Sequence, residues 1–420
     1  MASSVFDTQL QRWHLQRIRW AQEGRLTSRL PDFAAADATA TAKPVAAIAA
    51  EPGGSESGTD GWSLVPDTLP QGELLSTPIA PIYPGRTAHE FRNQRAFAAL
   101  RSDGSVVAWG NPSFGGDSSG IDFNGDDDTL TVTEIFSASA AFAALRSDGS
   151  VVSWGNADLG GNSERVDFDG ADNSLTVRRN FSSSGAFAAI RSDGSVVSWG
   201  SASSGGDSSS VDFDGADGSL TVSTIVAGAT AFAALRSDGS VVTWGNSAVG
   251  GDSSGVDFDG ADGSLRVASI VATEYAFAAI RSDGSVVSWG SAFSGGDSSG
   301  VDFDGADGTL TVAGIAASPF AFAALRSDGS VVSWGSTSHG GDSSGVDFDG
   351  AEDSLRVERI LSSSAAFTAL RSDGSVVSWG NAGLGGDSSG VDGNGPDDSL
   401  RLTAIVASDG AFAAIRSDGS

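Results

Sequence analysis

The chain has no cysteine, three histidines and a single lysine, Lys43, among its 420 residues. Without cysteine it can form neither a disulfide framework nor a thiolate metal site nor a thiol nucleophile. Three histidines leave few side chains that titrate near neutrality. Basic residues are scarce: 24 Lys and Arg stand against 53 Asp and Glu, for a net charge of −29. That balance argues against direct contact with nucleic acid and against attraction to an anionic membrane. No apolar run approaches the roughly 18 residues of a spanning helix, so no transmembrane segment is expected. Two residues are abundant instead, with 57 glycines and 10 tryptophans. They point to many turns and a regularly placed large aromatic.

The regularity is a period. Ala-Phe-Ala-Ala-Leu/Ile-Arg-Ser-Asp-Gly-Ser recurs with its Phe at 97, 142, 187, 232, 277, 322, 367 and 412, always 45 residues apart. Only Thr368 interrupts the motif. Seven tryptophans, at 109, 154, 199, 244, 289, 334 and 379, keep the same step. Seven full repeats therefore fill 97–411, and an eighth begins before Ser420. These seven hold 14 basic and 42 acidic residues, so the acidity belongs to the repeat.

Within a repeat the pattern is that of strands. Ala96-Phe97-Ala98-Ala99-Leu100 is a short apolar run, and Ser102-Asp103-Gly104-Ser105 after it is a hairpin signal, because both Asp and Gly tolerate positive φ. Val106-Val107-Ala108-Trp109 reads as the partner strand, and Leu130-Thr131-Val132, leading to Ile135, as a third. Several short strands in each 45 residues predict an all-β fold, a seven-bladed β-propeller, with Phe and Trp buried between blades. A parallel β-solenoid is the alternative, although its coils are usually shorter and need no Asp-Gly hairpin.

Leu-x-x-Asp-Gly-x-Val-x-x-Trp-Gly, then a glycine pair, then Ile-x-Ala before the next Phe, resembles the repeats of the regulator of chromosome condensation family. The resemblance covers residues 97–420 and looks closest to a divergent branch of regular, acidic microbial repeats. It implies a seven-bladed propeller. Phe97 and Phe142 stand where the family usually has His, and Gly160-Gly161 runs into Asn162-Ser163 where the family continues with Gln-Leu-Gly. The family's namesake is a nucleotide-exchange factor that also binds chromatin, working through asymmetric loops. No such insertion is found here. Family propellers commonly close by letting one terminus complete the other's blade. On that scheme Ala411–Ile415 would finish the blade of Ser375–Trp379 and displace Phe97–Leu100; the rival is an open arc.

The most chemically suggestive segment is the loop before the third strand. Its copies are Asp122-x-Asn124-Gly125-x-Asp127, Asp167-x-Asp169-Gly170-x-Asp172 and Asp212-x-Asp214-Gly215-x-Asp217. Then come Asp257-x-Asp259-Gly260-x-Asp262, Asp302-x-Asp304-Gly305-x-Asp307, Asp347-x-Asp349-Gly350-x-Glu352 and Asp392-x-Asn394-Gly395-x-Asp397. Alternate carboxylates around a glycine suit Ca²⁺, which takes six to eight oxygens. The glycine falls too early for an EF-hand, however, and no distal Glu recurs. Asp, Asn and Gly are equally what plain turns prefer, so calcium loop and solvated turn stand as alternatives. A second acidic column (Asp117, Asp207, Asp252, Asp297, Asp342, Asp387) either joins such a site or caps its own turn. The Arg after each first strand, Arg101 to Arg416, is expected to pair with a carboxylate.

No nucleophile–base constellation emerges. His14 and His89 lie outside the array, and His339 occupies a variable position in one repeat. Residues 1–33 carry an amphipathic basic helix around Phe6, Leu10, Trp13, Ile18 and Trp20; 34–95 read as linker and irregular wrap; 96–420 form the repeat domain. The start has no secretory signal pattern. The expected function is a non-enzymatic propeller scaffold, monomeric, for an unidentified protein or extended ligand. It has no certain cofactor, calcium being the only candidate. An intracellular regulator like the namesake and a propeller hydrolase are the alternatives. High acidity and the lack of cysteine suit an extracellular or cell-surface setting.

Overall fold

A computed structural model describes residues 93–125, 127–350, 354–391, 393 and 400–420. The helix expected near the start, and the linker and wrap up to residue 92, lie outside these residues. The repeat domain is all-β, a propeller-type succession of small antiparallel sheets. Its other regular elements are seven single-turn 3₁₀ helices, one after each Trp-Gly.

Each repeat contributes a middle strand such as Ala141–Arg146 and a Trp strand such as Val151–Gly155, joined by the Asp-Gly hairpin. The hairpin differs from expectation in one respect. The glycine has positive φ, as at Gly149 (+85°), but the aspartate before it does not. The Asp148 carboxylate instead accepts the Ser150 amide (2.9 Å) and hydroxyl (2.6 Å), closing the turn through its side chain.

The third strand runs Val132–Ser137, later than the expected Leu130–Val132. Leu130 belongs to the preceding loop, where its side chain lies over Gly125 and its amide donates to the Asn124 carbonyl at 2.9 Å. This strand pairs with the middle strand of the following repeat, Ile135 opposite Ala144 and Phe136 opposite Ala143, with a bulge between Val132 and Glu134. Sheets are therefore offset from sequence repeats by one strand. Six three-stranded sheets result, from Val132–Gly155 through Val357–Gly380, flanked by two-stranded sheets 96–110 and 402–416.

The closure scheme drawn from the sequence does not hold. Phe412–Arg416 pairs with Leu402–Ala407, while the sheet containing Val376–Gly380 is already complete. Phe97 and Ile415, in the two terminal sheets, are 49 % and 52 % exposed, against 0 % for Phe187, Phe232 and Phe277.

Six of the seven repeat tryptophans join adjacent sheets. The Trp244 ring stacks on Phe232 across its own hairpin (5.1 Å, 21°) and receives the edge of Phe213 from the preceding repeat (5.2 Å, 90°). Its indole N–H donates to the Gly205 carbonyl, 39 residues earlier, at 2.9 Å. The glycine pair makes room for this. A Cβ at Gly205 (φ +92°) would lie 2.4 Å from the Phe232 ring, and one at Gly206 would meet the Gly200 carbonyl at 2.4 Å. Six of the seven repeat tryptophans are buried, but Trp109 is only half-buried. No described repeat precedes it to supply the edge-on Phe and the glycine carbonyl.

A second link runs along the array. The loop ahead of each middle strand bonds to the next: Ser139 N–H to Ser184 O (3.0 Å), Ser184 to Ala229 (2.9 Å), Ala229 to Glu274 (2.6 Å), and Glu274 to Pro319 (2.9 Å). Proline has no amide hydrogen to pass on. The series resumes with Ser364 donating to Asp409 (3.0 Å).

Replacing Trp244 by Ala removes ring burial and the inter-sheet bond together, and should cost about 3–5 kcal/mol. Trp109→Ala should cost clearly less, because that ring has one neighbour fewer. Urea unfolding of both variants checks this; equal losses would show that the inter-sheet clamp is not what the tryptophans supply.

Candidate functional site

In the acidic loops the first and last carboxylates are engaged within their own turns, whereas the middle aspartate contributes its backbone carbonyl. Asp212 Oδ1 accepts the Gly215 amide (2.7 Å), and Asp217 Oδ1 accepts the Ser219 amide (3.2 Å) and hydroxyl (2.7 Å). The Asp214 carbonyl takes the Leu220 amide at 2.9 Å. Between them Phe213 turns inward to Trp244. Asp167, Asp257, Asp302 and Asp347 repeat the first contact, accepting from Gly170, Gly260, Gly305 and Gly350. Asp172, Asp262 and Asp307 repeat the second, from Ser174, Ser264 and Thr309. The carbonyls of Asp169, Asp259, Asp304 and Asp349 repeat the third.

In the first loop Asp122 Oδ1 accepts from Asn124 and Gly125, Asn124 Nδ2 donates to Asp128, and Asp127 accepts from Thr129. Glu352, Asp392, Asn394 and Asp397 lie outside the described residues. The second acidic column caps its own turn, as Asp207 does with the Ser209 amide at 3.0 Å. Among the described residues, no three His, Asp or Glu side chains are grouped closely enough to hold a metal ion.

The Arg of each hairpin also differs from expectation. Arg236 Nε donates to Ser240 Oγ (2.7 Å), whose hydroxyl donates to Asp238 (2.5 Å), and Arg236 Nη1 reaches the Asp212 carbonyl (3.3 Å). Serine thus stands between guanidinium and carboxylate, and the arginine braces the acidic loop of the previous repeat.

Chemistry that one repeat has and the others lack gathers where the 45-residue pattern is broken. The loop before the middle strand carries Glu274-Tyr275 in one copy and Pro319-Phe320 in the next, where other copies have small or polar residues. The 3₁₀ turns of Ala292–Ser294 and Thr337–His339 add Phe293 and His339. Phe320 is the hub. Tyr275 stacks on it at 5.9 Å, Phe293 approaches at 6.1 Å and 60°, and the His339 ring at 4.6 Å and 65°. Phe293 is 64 % exposed. His339 Nδ1 lies 3.0 Å from both Ser336 Oγ and Ser338 Oγ. Burial pushes this imidazole below its ordinary pKa, while Glu274 pulls it the other way. Sequence reasoning noted the isolated His339 but missed the aromatics. The signal was there: Tyr275 and Phe320 share one column in which the other copies have no aromatic, and Phe293 is the aromatic of its own column.

The Ser336–Ser338 contact does not depend on the histidine. Ser201 and Ser203 make the same hydroxyl contact (2.9 Å) as Ser336 and Ser338 (3.0 Å), in a repeat with no histidine. The paired hydroxyls are a property of the turn.

No protein-family model and no curated protein matches the chain. Solved structures do resemble it in fold. The Prp20p structure from Saccharomyces cerevisiae, the yeast RCC1, is 16 % identical with a TM-score of 0.36 over 69 % of this chain and 83 % of that one. The ectodomain of the receptor kinase CR4 from Physcomitrella patens is 16 % identical, with a TM-score of 0.36 over 68 % and 70 %. The computationally designed Ika8 protein is 17 % identical, with a TM-score of 0.33 over 77 % and 93 %.

Two outcomes follow from the loops. With the first and last aspartates of each loop capping their own turns and no three acidic side chains grouped among the described residues, exchanging millimolar calcium for excess chelator should leave the melting temperature unchanged. A rise of several degrees with calcium would show that the loops hold the cation. Acid should act differently. Hydroxyl and amide donors hold Asp127, Asp172, Asp217 and Asp262 below the usual carboxylate pKa. Their stabilisation is therefore complete above about pH 5 and is lost as pH falls below about 4, through the folded-state values. Melting temperature against pH should fall on that side, and a flat profile down to pH 3 would contradict it.

Proposed function

We propose that the repeat domain is a non-enzymatic binding scaffold that docks a protein or another extended ligand on the face built by Tyr275, Phe293, Phe320 and His339. One observation carries this reading. The buried columns hardly vary along the array, whereas these four residues are departures from it that meet around a single ring. Aromatic side chains offer large, rigid contact area at low entropic cost, and Tyr and Trp, together with Arg, dominate binding hot spots. Phe293, mostly exposed, gains roughly 1.5–3 kcal/mol if a partner covers it fully. Glu274 beside Tyr275 and His339 gives the patch an acidic margin suited to a basic or hydrogen-bond-donating ligand.

The test compares wild type with the Phe293→Ser/Phe320→Ser double variant and with Ser203→Ala, a control in a repeat without the patch. A ligand retained from the native extract and then titrated against purified protein should bind the double variant at least tenfold more weakly and the control unchanged. Undiminished binding by the double variant would remove the patch from the reading.

A further inference from the structure

The strand Val177–Ser182 departs from its counterparts at three successive positions. Arg178 and Arg179 stand where other repeats have Thr133-Glu134, Ser223-Thr224, Ala268-Ser269, Ala313-Gly314, Glu358-Arg359 and Thr403-Ala404. Asn180 replaces an isoleucine found at 135, 225, 270, 315, 360 and 405. In a chain of net charge −29, two adjacent arginines in one strand are an exception that the fold does not require.

They do not stand alone. Arg178 and Arg179 line a pocket of about 340 Å³ together with Arg191, the hairpin arginine of the same sheet. Thr221, Val222 and Ser223, where the next sheet begins, and the apolar Ile190 also line it. Arg191 is fixed in orientation, its Nε on Ser195 Oγ (2.7 Å) and its Nη1 on the Asp167 carbonyl (3.3 Å). The Arg179 guanidinium lies over the Phe181 ring, 5.5 Å from its centroid. Arg178 makes no hydrogen bond or ion pair with any described residue. Two carboxylates face the group. Glu134 of the preceding sheet interacts with Arg179, and Asp193 lines the pocket with one oxygen already committed to Ser195. Among these five groups the guanidinium groups outnumber the carboxylates three to two.

Asn180 does not belong to this pocket. It pairs across the strands with Ala189 next to the Arg179–Ile190 pair, and successive paired residues face opposite ways, whereas Arg178 sits unpaired at the bulge between Val177 and Arg179, where that alternation is interrupted. Its Nδ2 is buried without a partner on the other side of the sheet.

We propose that the pocket formed by Arg178, Arg179 and Arg191 binds a tetrahedral oxyanion group, phosphate or sulfate, free or as the ester of a small molecule. Planar guanidinium forks match such oxygens bidentately. Three of them offer more donors than the two oxygens of a carboxylate can accept, and four oxygens can use them. Thr221, also in the lining, carries a hydroxyl that can donate as well. This site is separate from the aromatic face, and neither reading depends on the other.

Calorimetric titration of the full chain with inorganic phosphate, sulfate and phenyl phosphate, at constant ionic strength set by chloride, tests this. One saturable site per chain is expected, weakened at least tenfold by Arg178→Gln/Arg179→Gln and unchanged by Arg359→Gln, which alters the same column in another sheet. Tighter binding of phenyl phosphate than of both inorganic ions would identify the ester as the better ligand, and the reverse the free anion. Circular dichroism and melting establish that each variant is folded. The proposal is overturned if no saturable binding occurs, if the double variant binds as wild type does, or if acetate binds as tightly as phosphate.

Discussion

A tryptophan that belongs to one repeat is completed by the repeat before it, and the rest of the array depends on that arrangement. Trp199 stacks on Phe187 in its own sheet, receives the edge of Phe168 from the preceding loop and donates its N–H to the Gly160 carbonyl. Each of the three contacts constrains the sequence. The stack needs a hairpin that sets Phe opposite Trp. The edge contact needs an aromatic inside the acidic loop. The hydrogen bond needs a backbone close enough that only glycine fits. One interaction thus accounts for the Asp-Gly turn, the Asp-Phe-Asp loop and the glycine pair. It recurs at one spacing, the indole N–H and its glycine carbonyl being 39 residues apart in all six buried tryptophans.

The same dependence governs where energy is stored. Arrays whose units contact only neighbours are stabilised by the sum of unit and interface terms. Here the interface term is large because the middle strands are nearly all alanine. Ala186, Ala188 and Ala189 are fully buried, so the sheets approach closely and the aromatics fill what remains. A two-stranded terminal sheet has one such interface where an interior sheet has two. The exposure of Phe97 and of Ile415 follows from that arithmetic alone.

Much of this was legible in the residues. The period, the strand runs and the hairpin could be read directly, because Phe97 and Trp109 repeat without exception and alternation marks a strand. What could not be read was the partner of the third strand. Val132–Ser137 is as compatible with the sheet before it as with the sheet after it, since both offer the same Ala-Phe-Ala-Ala edge. Identical repeats make pairing degenerate in sequence, and only the geometry of the connecting loop resolves it. Leu130 misled for a related reason. It is apolar because it covers Gly125, not because it lies in a strand. The acidic loops were ambiguous because a calcium ligand and a turn cap ask for the same residues, and hydrogen bonds to Gly215 and Ser219 distinguish the roles only once coordinates exist.

Near-perfect repetition supplies a baseline against which individual residues carry meaning. A substitution that keeps the packing leaves no trace in a repeat array, so selection for folding alone gives no reason for Phe293, Phe320 and His339 to meet. It gives no reason for paired arginines in one strand of an acidic chain either. Inserted loops are one way a symmetric fold acquires a site. This array holds its length and varies instead at two kinds of position that the tryptophan clamp leaves free. One is the turn after Trp-Gly together with the loop it faces. The other is the outward residues at the bulge of the third strand. At both, residues differ from repeat to repeat while the Phe, Trp and Gly of the clamp do not. Specific chemistry therefore enters this fold by substitution at sites the clamp does not touch.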